Sequence, residues 1–140
     1  MEYRRFSDAL VIRLDRGDEV VSCLTEAVKR EGIALGAVSG IGAADRAVVG
    51  LYNVEEQQYH KTELIGPMEI TSLVGNVTTK DGETYLHLHI NLCDGAMNVR
   101  GGHLNECRIS ATGEIVLTIL DGTVERRQDP VTGLNLFRFV

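Results

Sequence analysis

The chain has 140 residues, 14 Lys and Arg against 20 Asp and Glu, a formal net charge of −6, no Trp, 4 His and 3 Cys. This length fits one domain over residues 1–140 and can bury roughly 68% of its unfolded surface, so no disulfide or metal is needed merely to fold. A composition of 44% hydrophobic and 24% charged residues is that of a soluble globule, and an acidic balance spread along the chain opposes nonspecific nucleic-acid binding, which needs a cationic face.

Residues 1–14 contain an apolar run too short for a signal-peptide core. No run approaches the roughly 20 apolar residues of a membrane span. A cytoplasmic protein with no membrane role is expected. Cys23, Cys93 and Cys107 show no CxxC spacing and read as small hydrophobes in a reducing compartment. A metal role for Cys93 or Cys107 is the less common alternative.

Ala9–Leu14 is a short apolar run and the first predicted strand. From Asp18 to Glu31, Val20, Val21, Leu24, Ala27 and Val28 repeat at i, i+1, i+4, i+7 and i+8, which predicts a helix with one apolar stripe. Gly17 or Asp18 can cap its start, Glu19 suits its positive end, Lys29 and Arg30 suit its negative end, and Gly32 can stop it. Gly36–Ala43 lacks the third glycine of a dinucleotide fingerprint and the Gly-Lys-Ser/Thr of a phosphate loop. It reads as a turn needing glycine for positive φ, and Ser39 has no base beside it. Arg46–Asn53 and Gln57–Leu64 predict a hairpin around Val54-Glu55-Glu56, and Met68–Thr78 is rich in β-branched residues. Lys80-Asp81-Gly82 is a turn signal, followed by strict alternation through Glu83–Leu92. A short second helix is assigned to Asn98–Glu106. Arg108–Thr112, Glu114–Leu120 and Leu134–Val140 complete the strands, punctuated by Asp121-Gly122 and Thr132-Gly133. Many strands and one long helix without βαβ alternation predict an α+β domain, its central sheet mostly antiparallel or mixed with the helix packed on it.

The chemistry concentrates in Tyr85–Leu92. Strand alternation puts Leu86, Leu88, Ile90 and Leu92 on the core face and Tyr85, His87, His89 and Asn91 on the other. Two imidazoles at i and i+2 start about 7 Å apart and can lean onto one ion at about 2.0–2.1 Å each. His103 follows Gly101-Gly102, two glycines that allow tight turns and close backbone approach and can aim it back at the pair. The alternative is a solvated surface pair. His60 lies in a polar run and reads as a surface residue. Neutral imidazoles suit zinc first, with Fe²⁺, Ni²⁺ or Cu²⁺ as alternatives, and three protein ligands leave a position for water or substrate. Glu69, Asn91 and Arg100 are candidate neighbours: Glu69 as base or outer hydrogen-bond partner, Arg100 as a clamp for an anionic ligand. A solvated carboxylate and an exposed loop arginine are the plainer alternatives for these two.

Five segments occur in an order that resembles the plants-and-prokaryotes-conserved (PPC) domain: Arg30-Glu31-Gly32-Ile33, Gly36–Gly42, Gly66–Asn76, His87-Leu88-His89 and Gly101-Gly102-His103-Leu104. The resemblance covers nearly the whole chain and implies an α+β fold assembled as a homotrimer. It also implies a metal, commonly zinc, on His87, His89 and His103. Plant members largely lack these histidines and sit beside AT-hook DNA-binding motifs; this chain resembles the stand-alone prokaryotic form. It departs in two places, with Met68 where Phe is frequent and Ile65 where Glu is frequent. No Arg-Gly-Arg-Pro hook core occurs in the sequence, so the family's association with DNA has no direct counterpart in these residues.

Two classes of function follow. The first is a regulatory module whose metal binds a small molecule or partner, or which acts in a DNA-associated role by family resemblance. The alternative is a metal-dependent enzyme of hydrolase or lyase type acting on a small molecule at the open metal position.

Overall fold

Leu10, Ile12 and Leu14 are fully or almost fully buried, while their neighbours Val11 and Arg13 face outward, the period-two pattern of a half-buried strand. The same logic recurs along the chain. The computed structural model describes residues 1–139, and among these it contains eight strands and one helix. In chain order they are β1 (Glu2–Phe6), β2 (Ala9–Asp15), α1 (Val20–Arg30), β3 (Gly36–Asn53), β4 (Gln58–Lys80), β5 (Glu83–Asp94), β6 (Val99–Ile119), β7 (Glu125–Gln128) and β8 (Asn135–Arg138). The main sheet runs β1-β2-β6-β3-β4-β5, and β6 also pairs with β5, so β3, β4, β5 and β6 close a ring of pairings. A separate two-stranded ribbon joins β7 and β8.

Every pairing in these strands is antiparallel, which removes the mixed-sheet alternative. The predicted α+β class is met only by one helix of 11 residues, shorter than Asp18–Glu31; the remainder is sheet. Its stripe Val20, Leu24, Ala27 and Val28 is fully buried and joins the cluster containing Leu14, Ile109 and Leu117. The cap is Glu19, not Gly17 or Asp18. Asp18 is already engaged, its carboxylate accepting from the Asp15 amide at 2.8 Å and pairing with the N-terminal ammonium at 2.7 Å. Glu19 accepts from Val21 N (3.0 Å) and Ser22 N (2.8 Å), and from Cys107 N on β6 (3.1 Å). It therefore fixes the helix start to the sheet as well as satisfying helix amides. Glu19→Ala is expected to cost about 2 kcal/mol. Urea unfolding would show it as a lower midpoint at unchanged slope, and an unshifted midpoint would contradict it.

Several predicted boundaries merge. Gly36–Ala43 is no turn but the first half of β3, paired on both sides with β4 and β6. Gln57–Leu64 and Met68–Thr78 are one strand, β4, because Gly66, at φ 115°, and Pro67 are absorbed as a bulge that shifts the register without ending the strand. Asp81 and Gly82 form the predicted turn, both at positive φ (53° and 81°), with Lys80 opposite Glu83. The helix assigned to Asn98–Glu106 is absent, and β6 occupies that stretch. β1 and β7 carry no legible alternation and were not anticipated. Leu134–Val140 is represented by β8, and Val140 lies outside the described residues. No helix is long and apolar enough to cross a membrane among the described residues.

Candidate metal centre

β5 displays His87 and His89 on the face opposite its buried Leu88, Ile90 and Leu92. β6 brings the third imidazole by register rather than by a turn: His103 lies directly opposite His89 on one side and Gly50 of β3 on the other. The double glycine serves this squeeze. A Cβ at Gly102 would sit 2.6 Å from the Gly50 carbonyl oxygen, and one at Gly101 would overlap the Ile90 carbonyl oxygen. Only residues without a Cβ let β6 pass between β5 and β3 there. Gly101-Gly102 thus position His103 by close backbone approach within a strand, one of the two roles the sequence allows them, and not by a tight turn.

The three rings converge. Their centroids are 5.1 Å apart for His87–His89, 5.1 Å for His87–His103 and 5.6 Å for His89–His103. One nitrogen from each lies within 4.8 Å of the others. The Nε2 atoms of His87 and His89 are 3.2 Å apart. Two nitrogens bound tetrahedrally at 2.0–2.1 Å would be separated by about 3.3 Å. The donor set and this spacing therefore fit a divalent transition metal such as zinc.

At His87 and His103 burial favours the neutral ring, the form that ligates metals. Burial pulls the His87 pKa down to about 4 from 6.5, with lesser contributions from His103, Arg126 and His89. His103 is lowered by burial and then by His89. In metal-free protein the unfolded chain takes up the His87 proton near pH 6.5, while the folded chain resists it until about pH 4. The unfolded state then binds more protons across that window, so stability falls as pH drops through it. His103 acts in the same direction. The melting temperature of metal-free protein is expected to fall from pH 6.5 to 4.5, and less steeply in His87→Gln. Equal slopes in the two proteins would contradict this.

The triad opens into a cavity of about 730 Å³. Tyr59 stands edge-on to the His103 ring at 5.8 Å, and Asn105 Nδ2 donates to its hydroxyl at 2.6 Å. The far wall is the β7–β8 ribbon, which contributes Arg126, Leu136 and Phe137. Tyr52 pins the loop between β7 and β8, donating from its hydroxyl to the Thr132 carbonyl at 2.8 Å.

The structure does not gather the other sequence candidates around the histidines. Asn91 is next along the histidine face, and its amide donates to Ser72 Oγ at 3.1 Å. Glu69 is exposed and pairs with Cys93, at the far end of β5 from His87. Arg100 is paired with Leu92, so it projects to the opposite face, with Nη2 3.7 Å from Asp94. Ile65 is 75% exposed. Among the cysteines, Cys107 is fully buried and its thiol is pushed up to about 12 by burial, and neither it nor Cys93 joins the histidine group. His60 is exposed beside Glu56 at 3.2 Å. Tyr59 and Arg126 were missed. Arg126 lies in a short charged stretch, Glu125–Gln128, whose pattern resembles a solvated strand.

Sheet, helix and triad together define an antiparallel-sheet protein with an open three-histidine cluster. The model of the Plants and Prokaryotes Conserved (PCC) domain matches residues 1–121, and the chain belongs to this family, the PPC domain of the sequence resemblance. A metal-containing protein from Archaeoglobus fulgidus is 37% identical, with 99% of this chain and 97% of that chain covered at a TM-score of 0.86. A PPC protein from Pyrococcus horikoshii is 29% identical, with 99% and 94% covered at 0.86. A candidate DNA-binding protein from Bacteroides thetaiotaomicron is 28% identical, with 99% and 96% covered at 0.96. No curated protein matches the chain.

Proposed function

We propose that this PPC protein is a homotrimeric metal-binding module that holds zinc on His87, His89 and His103 and receives a small molecule at the remaining coordination position. The observation that carries this reading is the convergence of three imidazoles on a cavity of about 730 Å³. The similarity to a metal-containing archaeal protein supports it. When bound, the metal supplies a Lewis acid. Zinc titration of chelator-stripped protein tests the reading: about one ion per chain is expected, and no uptake would reject it.

The trimer has support in the sheet face opposite α1. Val11, Val116, Ser39, Val74 and His89 lie in register across five strands. Val11, Val116 and Val74 are 47%, 45% and 48% exposed, an apolar row that another subunit would cover. Light scattering at the mass of three chains is expected, and the mass of one chain would remove the trimer.

A regulatory role fits this module best. A DNA-associated role comes from relatives described as DNA-binding, and the net charge of −6 weighs against direct contact. A metal-dependent hydrolase or lyase is the second reading, favoured by the open coordination position. Turnover of esters, lactones or phosphoesters that is lost with chelator and in His103→Ala would establish it.

A further inference from the structure

The element of this cavity that the family match leaves out is its far wall, because the match ends at residue 121 and the β7–β8 ribbon lies beyond it. That wall carries Arg126, which is only 7% exposed and still lines the cavity shared with the three histidines. A buried guanidinium normally has an acidic partner. Here its hydrogen bonds go to neutral acceptors: Nε to Thr78 Oγ1 (2.8 Å), Nη1 to the Asn135 carbonyl (2.8 Å) and Nη2 to Asn76 Oδ1 (2.7 Å). These use three of the five N–H donors an arginine owns. No carboxylate among the described residues pairs with it.

The guanidinium is also held rigid. Tyr85 and Phe137 each place a ring centroid 4.6 Å from its central carbon. Asn76, which fixes Nη2, is the direct cross-strand neighbour of His87, and Thr78 is that of Tyr85. Directly opposed strand residues have Cβ atoms about 4.5–5.5 Å apart, so the arginine extends the histidine row by one step. A fixed positive group with unused donors, beside the apolar wall formed by Tyr59, Leu136 and Phe137, selects for a ligand with a planar anionic head and an apolar body.

We propose that the cavity recognises small organic carboxylates, with Arg126 as the carboxylate-recognising residue and Tyr59, Leu136 and Phe137 enclosing the apolar body. This deepens the proposed small-molecule reading and rests on it for the pocket, but not on the metal.

The test compares benzoate with its neutral isostere benzamide, by calorimetry, on metal-loaded and on chelator-stripped protein. Benzoate is expected to bind at least tenfold more tightly than benzamide in both preparations. Arg126→Gln is expected to abolish the preference in stripped protein. If that variant does not fold, the wild-type comparison still decides. Benzamide binding within threefold of benzoate in stripped protein, or binding of neither, would overturn the proposal. A preference that appears only with metal and persists in Arg126→Gln would also overturn it, because the head would then sit on the metal alone. A protein that takes up no metal but still prefers benzoate would sink the metal reading and leave this proposal standing.

Discussion

Replacing His87 and His89 together by alanine is expected to reduce bound metal from about one ion per chain to background, as read by elemental analysis of purified protein. Two of three nitrogen donors are lost, and a single imidazole at His103 cannot hold an ion against a chelating wash. The fold should survive. His89 is exposed and His87 half-buried, and their strand is held by Leu88, Ile90 and Leu92 on the other face. Removing the His87 imidazole, which burial keeps neutral, leaves no unpaired charge behind. Far-UV circular dichroism should therefore match wild type. Equal metal in both proteins would mean that the ion, if any, sits elsewhere.

The second large effect concerns the backbone that brings His103 into place. Gly102→Ala adds a Cβ 2.6 Å from the Gly50 carbonyl oxygen, and the obstacle is main chain rather than a flexible side chain. Relief requires β6 to move away from β3 or to change its path beside β5. Overpacking of this kind costs about 1–3 kcal/mol, and the shift would be felt at the adjacent residue, which is His103. A lower unfolding midpoint together with at least tenfold weaker zinc binding is expected. Gly95→Ala provides the comparison, since a Cβ there meets nothing within 4 Å. It should change stability by less than about 0.5 kcal/mol. Wild-type zinc affinity in Gly102→Ala would show that the close passage of β6 is not what positions His103.

The parts of the molecule visible in the sequence are those governed by local periodicity. The stripe Val20, Leu24, Ala27 and Val28 identified the helix, and the alternation in Tyr85–Leu92 identified both the core face and the two imidazoles that share the other. Asp81-Gly82 marked its hairpin because both residues tolerate positive φ. The misread parts are governed by partners distant in the chain. Gly36–Gly42 looks like a turn and Gly101-Gly102 allow either a turn or a close approach; the register reveals that most of these glycines serve close strand contacts. Arg100 seemed a neighbour of the metal by proximity in sequence, and alternation relative to Leu92 sends it to the other face. Glu19 outcompeted Asp18 as the cap because the chain's own N-terminal ammonium claims the Asp18 carboxylate. Arg126 is buried by Tyr85 and Phe137, residues separated from one another along the chain. No window around it could signal that.

The proposed metal centre stands on three imidazole donors, His87, His89 and His103. Zinc-edge X-ray absorption of the zinc-loaded protein tests it most directly. Three imidazole nitrogens at about 2.0–2.1 Å with one further light-atom ligand are expected. A sulfur shell at about 2.3 Å, or a spectrum unchanged by His103→Ala, would contradict it.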